Sequence, residues 1–157
     1  MDKIPITNIG FEKLEEELKN LKSIERPKVI KSIAEAREHG DLSENAEYHA
    51  AKEKQSFIEG RIADLENKIT RAEVINTKKL KSSKIIFGAT VTLGEVGNNK
   101  QIVYQIVGTE EADVENGKIS ISSPLARALL GKSINANVEV YSPGGSKEYE
   151  VENIEFV

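Results

Sequence analysis

Side chains that can bind a metal ion, a proton or a nucleotide are concentrated in one short stretch, GDLSENAEYHAAK, which spans Gly40–Lys52. Within nine positions it contains Asp41, Glu44, Asn45, Glu47, Tyr48 and His49. Mg²⁺ usually keeps several waters and takes one or two protein carboxylates plus phosphate oxygens. Asp41 and Glu44 therefore predict a weak Mg²⁺ site. The site becomes useful if another macromolecule adds ligands, a first metal and a phosphodiester, because two metals can activate water and stabilise the leaving oxygen.

The same spacing also has a purely structural interpretation. Asp41 and Glu44 match the N-cap and third position of a capping box, and the helix dipole favours acids near a helix N-terminus. His49 could be a general base, but a lone histidine on a helix is more often a surface or packing residue, and His39 is interpreted likewise. The local pattern leaves the capping and metal-binding interpretations open.

Four neighbouring side chains are candidates for supporting the acids or for contacting nucleic acid: Arg37, Asn45, Tyr48 and Lys52. Tyr48 falls on the apolar side of a predicted helix, where it can pack over alanines or touch a nucleotide. Basic residues lie on both sides of the acids. A charge run is usually a solvated face, but here it could also guide a phosphate strand toward the acids.

Two amphipathic helices are predicted to position this stretch. In the first, Asn8 is the expected N-cap, and apolar residues follow at heptad spacing: Phe11, Leu14, Leu18 and Leu21. Pro27 removes a backbone donor and would cost about 3 kcal/mol in a helix interior, so we expect a kink or a restart there. Gly40 can adopt the left-handed geometry that ends a helix.

The second helix keeps its heptad spacing without a break, at Tyr48, Ala51, Gln55, Ile58, Ile62, Leu65, Ile69 and Ala72. A narrow seam of this kind pairs with one partner helix, and the intervening turn is short enough for that partner to be the first helix, antiparallel to it. A homodimerising coiled coil is the alternative. The interrupted first seam favours the intramolecular hairpin and a monomer.

The second half of the chain changes to strand-like periodicity with turn residues between short apolar runs. Ser123, Pro124 and Gly131 predict the cap, first position and stop of one short helix. We therefore predict an α+β protein: an antiparallel α-helical coiled-coil hairpin over residues 1–77, then a small antiparallel β-sheet domain with one short helix over 78–157. The second domain has no histidine or cysteine and shows no catalytic constellation, so docking is its expected role.

Composition excludes several classes of function. Cysteine is absent, which excludes disulfides, thiolate metal sites and a cysteine nucleophile, and suits the cytoplasm. No segment approaches the roughly 20 apolar residues of a membrane span, so no membrane association is expected. The net charge is −4, so the broad basic field of an autonomous nucleic-acid binder is missing. Contact with nucleic acid should be local or arranged by a partner.

The sequence closely resembles the bacterial Gre transcript-cleavage factors, of the A subtype, over essentially its whole length. Six motifs carry the resemblance: IPIT (Ile4–Thr7), IAEAREHGDLSENAEYHAAKE (Ile33–Glu53), EGRI (Glu59–Ile62), IFGATVT (Ile86–Thr92), SPLARALLGK (Ser123–Lys132) and PGG (Pro143–Gly145). The resemblance implies a hairpin that enters the secondary channel of bacterial RNA polymerase and a C-terminal domain, folded like an FK506-binding protein, that docks at the channel rim.

The resemblance also implies a role for the acids. Asp41 and Glu44 would help to hold a second, shared Mg²⁺ and orient water in the polymerase active site. The polymerase would then hydrolyse the 3′ end of its backtracked RNA, so this chain would not itself be an enzyme. Two alternatives remain: a channel-occupying inhibitor without cleavage activity, and a stand-alone prolyl isomerase or nuclease. The first is disfavoured because the cleavage-type acids are retained.

Overall fold

The computed structural model describes residues 2–157 and confirms the α+β class. Contacts within the chain define two compact units. The first contains Phe11–Ala72, and the second combines Lys3–Gly10 with Glu73–Val157. The sequence-based boundary lies between residues 77 and 78 and assigns the N-terminal segment to the hairpin. The grouping by contacts instead places Lys3–Gly10 in the C-terminal unit.

The first arm of the hairpin consists of three consecutive helical segments: α1 (Asn8–Asn20), a π turn (Leu21–Glu25) and α2 (Arg26–Arg37). Pro27 lies in the first turn of α2, where its missing amide is tolerated. The Arg26 amide donates to the carbonyl of Leu21, the wider spacing of a π turn, which accommodates the proline without breaking the arm. The predicted kink or restart at Pro27 is therefore a π turn within a continuous helical arm, and the helix does not restart there.

The predicted N-cap of the first arm is one residue out of register. Asn8 is the first helical residue rather than the cap. The hydroxyl of Thr7 accepts a hydrogen bond of 3.0 Å from the amide of Gly10, which is the N-cap interaction. Thr7 is the cap because its hydroxyl precedes the helix and reaches the third helical amide, whereas Asn8 already belongs to the helix.

The second arm, α3, spans Ala46–Arg71 and packs along α2. Val29, Ile58 and Ile62 form one buried cluster, against which Leu18 and Leu21 pack. The heptad seam is therefore buried within the chain, as predicted for a hairpin. Ala72, predicted as the last seam residue, instead begins a strand because α3 ends at Arg71.

Bidentate ion pairs flank the seam. Arg26 donates to both carboxylate oxygens of Glu59 at 2.7 and 2.8 Å, and Arg61 donates to both oxygens of Glu17 at 2.6 and 2.9 Å. The hydrogen bond from Arg61 lowers the pKa of Glu17, and that from Arg26 lowers the pKa of Glu59. Such exposed pairs add little stability, but their bidentate geometry favours one register of the two arms.

The second unit is built on a five-stranded sheet. Its strands are β3 (Thr90–Glu95), β4 (Gln101–Val107), β5 (Lys118–Ser120), β6 (Asn137–Ser142) and β7 (Gly145–Glu155), in the order β5-β4-β3-β7-β6. All neighbouring pairs are antiparallel except β4 and β5, which are parallel, so the predicted antiparallel sheet is confirmed with one parallel pair at its edge. One long connection between β4 and β5 makes the parallel pairing possible.

The short helix of the second unit is predicted correctly. It is α4 (Pro124–Leu129), with the Ser123 hydroxyl accepting from the Ala126 amide at 3.2 Å and Gly131 at a φ of +83° after its end. Ala126 and Leu129 of α4 join the sheet in one mostly aliphatic core. The buried residues of this core are Ile85, Ala89, Val91, Leu93, Ile106, Ile119, Ala126, Leu129, Val138, Tyr149 and Val151.

Two further strands were not predicted. They are β1 (Ile4–Thr7) and β2 (Ala72–Ile75), which form a separate two-stranded sheet. Short 3₁₀ helices cover Thr77–Lys79, Thr109–Glu111 and Val114–Asn116. The chain thus uses residues near its N-terminus to extend the C-terminal unit.

The hairpin depends on its buried seam, which Ile62→Ala tests. Ile62 is buried in the seam cluster, so its truncation should cost about 2–5 kcal/mol and lower the urea midpoint of the helical far-UV circular dichroism signal. Phe57→Ala is the matched control on the same helix, because Phe57 is 73% exposed and its loss should change stability by no more than about 0.5 kcal/mol. Equal midpoints for the two variants would contradict this packing.

Candidate functional site

The connection between α2 and α3 is a turn of eight residues, numbers 38–45, and it contains both candidate acids. Gly40 has a φ of +117°, so the position favours glycine. Asn45 joins the two arms: its Oδ1 accepts from the Tyr48 amide at 3.0 Å, and its Nδ2 donates to the Ala36 carbonyl at 2.6 Å. Asn45 is therefore the N-cap of α3.

The capping-box interpretation of the acids is thus wrong. Asp41 lies four residues before the N-cap, and Glu44 precedes the helix rather than occupying its third position. Asn45 replaces them as the cap because its amide also satisfies a carbonyl at the end of α2, a contact that needs both arms. Neither acid is needed to begin α3.

Asp41 is held in a fixed orientation by Ser43. One carboxylate oxygen, Oδ1, accepts from the Ser43 amide at 3.0 Å and from the Ser43 hydroxyl at 2.9 Å. These two bonds, the backbone bond first, lower the pKa of Asp41, because hydrogen bonds to a carboxylate favour its charged form. Asp41 is exposed, and its second oxygen, Oδ2, is available to a ligand.

Glu44 differs from Asp41 in having no fixed orientation. Its side chain is exposed, and among residues 2–157 it has no hydrogen bond or ion pair. Both acids line the same open cleft, of about 430 Å³, whose wall is formed by His39, Asp41, Glu44, Asn45, Ala46 and Glu47. The cleft thus presents one oriented and one free carboxylate to whatever enters it.

The predicted supporting cations lie on a neighbouring surface. Arg37 and Lys52 line a groove of about 230 Å³ between α2 and α3, together with Ile30, Ile33, Ala34 and Gln55. The guanidinium carbon of Arg37 lies 5.9 Å from the centre of the Tyr48 ring, a cation–π contact that ties Tyr48 to this groove. Asn45 is therefore the one predicted supporting residue that lines the acidic cleft.

The two histidines lie beside the acids without forming a catalytic pair. His49 Nε2 lies 3.4 Å from the carbonyl oxygen of Ser43, and its ring packs edge-on against Tyr48 at 5.7 Å between centroids. His39 Nε2 lies 4.0 Å from a carboxylate oxygen of Glu47, and both side chains are exposed. These contacts agree with the interpretation of both histidines as surface residues.

Two residues beside the candidate acids were not predicted to act with them. Ser43 was given no role, although an aspartate two residues before a serine is a sequence signal for an Asx turn. Glu47 adds a third carboxylate to the cleft wall from the first turn of α3. Its presence makes the cleft more acidic than the pair alone.

The cleft supplies oxygen ligands of the kind that Mg²⁺ prefers, but an incomplete set. No group of three or more acidic or histidine residues within residues 2–157 is arranged to hold a metal ion. In the same part of the chain, no helix is both long and apolar enough to span a membrane. The exposed carboxylates of the cleft can supply only part of a Mg²⁺ coordination shell.

Family models match nearly the entire chain. The model described as "Transcription elongation factor, N-terminal" matches residues 4–74, and the model "Transcription elongation factor, GreA/GreB, C-term" matches residues 80–156. The two matched ranges contain the hairpin and the five-stranded sheet, respectively.

Individual relatives agree with these models. Transcription elongation factor GreA of Caulobacter sp. (strain K31) is 57% identical over 157 residues and covers 100% of both chains, and GreA of Beijerinckia indica is 58% identical over 156 residues and 99% of both. The crystal structure of Thermus aquaticus Gfh1 is 28% identical over 99% of both chains, with a TM-score of 0.45. Because this TM-score is low, the assignment rests on the sequence matches. The chain belongs to the GreA/GreB family of transcription elongation factors.

Proposed function

We propose that this chain acts on bacterial RNA polymerase by inserting the tip of its hairpin into the secondary channel and stimulating Mg²⁺-dependent hydrolysis of the 3′ end of backtracked RNA. The observation that carries the proposal is the pair of exposed carboxylates, Asp41 and Glu44, on one cleft at the end of the hairpin. The Gre resemblance and the membership of an elongation-factor family support it. The expected result of cleavage is a new 3′ hydroxyl from which elongation resumes.

The residues of the cleft fit a Mg²⁺ ion that is shared with the polymerase and do not fit an ion that this chain binds alone. Asp41 is oriented and readily ionised, Glu44 is free to turn toward a ligand, and both offer oxygen atoms. A bound Mg²⁺ would supply charge that favours ionised water and stabilises a leaving oxygen. Two carboxylates leave most of its coordination positions to waters, phosphate oxygens and polymerase residues.

The residues of the tip can be given separate tasks within this proposal. Asp41 presents its second oxygen at a fixed angle because Ser43 holds the first. Glu44 would orient a water molecule by accepting a hydrogen bond from one of its O–H groups. Asn45 keeps the two arms together beneath them. Such positioning contributes by holding the reacting groups in productive geometry, where small displacements cost large factors in rate.

The groove beside the cleft suits contact with the RNA 3′ end. Arg37 and Lys52 offer positive charge for phosphates, and the Tyr48 ring, under Arg37, offers a face on which a base can stack. Within residues 2–157, neither cation forms an ion pair with Asp41 or Glu44. The chain itself would have no hydrolytic activity, because the polymerase holds the phosphodiester and the first metal.

The alternative, an inhibitor that only occupies the channel, needs no ligand at the tip. The hydrogen bonds from Ser43 that orient Asp41 favour the cleavage factor, since an inert plug has no use for a fixed, ionised carboxylate. The two functions differ in their effect on a stalled complex: the first shortens the RNA and the second leaves it intact.

The double variant Asp41→Asn and Glu44→Gln should bind polymerase but lose cleavage. We expect the rate of RNA fragment release from backtracked complexes to fall by a factor on the order of 10² or more, because charge stabilisation at the reacting phosphate is lost. The control is Glu38→Gln with Glu53→Gln, which removes two exposed carboxylates outside the cleft and should retain the rate. Undiminished release with the neutral tip would refute the proposed mechanism.

Removing the Ser43 hydroxyl should shift the titration of Asp41. In Ser43→Ala the amide bond remains but the hydroxyl bond is lost, so the pKa of Asp41 rises toward its ordinary value. Ionised Asp41 is present above its pKa, so on acidification the variant should lose it at a higher pH than the unmodified protein. Carbon-13 NMR titration of the carboxyl group measures the shift. Ser56→Ala on α3 is the control, and an identical titration of Asp41 in both variants would contradict the assignment.

A further inference from the structure

A single carboxylate, that of Glu111, binds the start of α1 within the second unit. Its Oε2 accepts from the amide of Thr7 at 2.8 Å and from the amide of Gly108 at 2.9 Å, and its Oε1 accepts from the hydroxyl of Thr7. The same hydroxyl accepts from the amide of Gly10, as the N-cap of α1. We refer to Thr7, Gly10, Gly108 and Glu111 together as the Glu111 clasp.

The clasp needs glycine at two positions. A Cβ atom on Gly10 would overlap the Glu111 carboxyl group, and one on Gly108 would overlap the carbonyl oxygen of Pro5. The far end of a glutamate can usually move aside. Here movement would break three hydrogen bonds, so the two glycines and the carboxylate form one interdependent arrangement.

The surroundings of the clasp are packed. Ile6 and Thr7 are 1% and 3% exposed, and β1 contacts both β4 and the 3₁₀ helix that contains Glu111. Hydrogen bonds to a charged group are stronger than neutral ones, and their effect is greatest where water is excluded. Within the second unit, the first turn of α1 is therefore held by the clasp as well as by the short β1 strand.

The place of the clasp in the chain indicates its function. Residues up to Gly10 belong to the second unit, and from Phe11 the same helix belongs to the hairpin. We infer that Glu111 is a positioning residue for transcript cleavage: by holding the first turn of α1, it anchors the arm that leads to the acidic tip. This inference rests on the proposed function. Glu111 would act through the helix and would touch neither RNA nor metal.

Two glycine-to-alanine substitutions test the steric part of the inference, because they should change Tm in opposite directions. Alanine normally favours a helix over glycine, so Gly60→Ala in α3, where a Cβ meets nothing within 4 Å, should raise Tm by about 2–4 °C. Gly10→Ala, also within a helix, should instead lower Tm because it displaces Glu111. A rise in Tm for both variants would overturn the clasp.

The positioning part is tested with Glu111→Ala in the full-length protein. Hydrogen exchange at the Thr7 and Gly108 amides should accelerate by roughly 10- to 100-fold as their acceptor is lost. On backtracked complexes, cleavage at saturating protein should fall by about tenfold, as expected for misplacement of a reacting group, with the half-saturating concentration changed by less than about twofold. Glu115→Ala, an exposed carboxylate in the same connection, should change neither quantity.

The conservative variant Glu111→Gln keeps one oxygen that can accept both amide hydrogen bonds, so it should recover much of the saturating rate. Faster exchange with an unchanged saturating rate would overturn the positioning role and leave a purely structural clasp. A change confined to the half-saturating concentration would overturn it too. If the unmodified protein does not accelerate cleavage, the proposed function fails and the positioning role fails with it, while the exchange measurement still decides whether the clasp exists.

Discussion

The hairpin depends on burial of one narrow aliphatic seam between its two arms. Val29, Ile58 and Ile62 exclude water from this seam, and the rest of both helices is largely polar. Isolated helices of such composition gain little from propensity alone, so packing of the seam must supply most of their stability. Because the seam is the source of order, the tip beyond it can consist of exposed polar residues. A thin, water-exposed turn with two unneutralised acids is possible only at the end of such a support.

The tip illustrates how a small site can be ordered without a core. Asn45 hydrogen-bonds to one backbone group on each arm, and Ser43 orients the Asp41 carboxylate by two hydrogen bonds. The Glu44 side chain has no partner among residues 2–157, which suits a ligand of a metal site that another molecule completes. The local hydrogen bonds of the tip orient its side chains and do not enclose a metal ion. This agrees with a site whose remaining ligands belong to another macromolecule.

The sequence predicted the features that follow a hydrophobic periodicity or depend on a residue with a distinctive conformational role, such as proline or a capping serine. The heptads predicted both arms, Pro27 predicted an irregularity in the first arm, and Ser123 predicted the cap of α4. The cap of α3 was misassigned because two sets of capping residues compete there, and the choice depends on a carbonyl of the other arm. The strands β1 and β2 were missed because four residues are too few to show alternation, and their pairing joins distant parts of the chain. Asp41 and Glu44 were selected from the concentration of polar side chains in one turn and from the Gre resemblance, whereas the Glu111 clasp brings together residues more than 100 positions apart.

The central claim is that the tip supplies part of a Mg²⁺ site that only the polymerase completes. The Mg²⁺ concentration for half-maximal transcript cleavage by backtracked polymerase complexes, measured with and without saturating protein, tests this claim most directly. Two added carboxylate ligands should lower that concentration, while the protein alone should show no saturable Mg²⁺ binding in the same range. An unchanged half-maximal concentration, despite faster cleavage, would contradict a shared metal site and assign the effect of the tip to some other interaction.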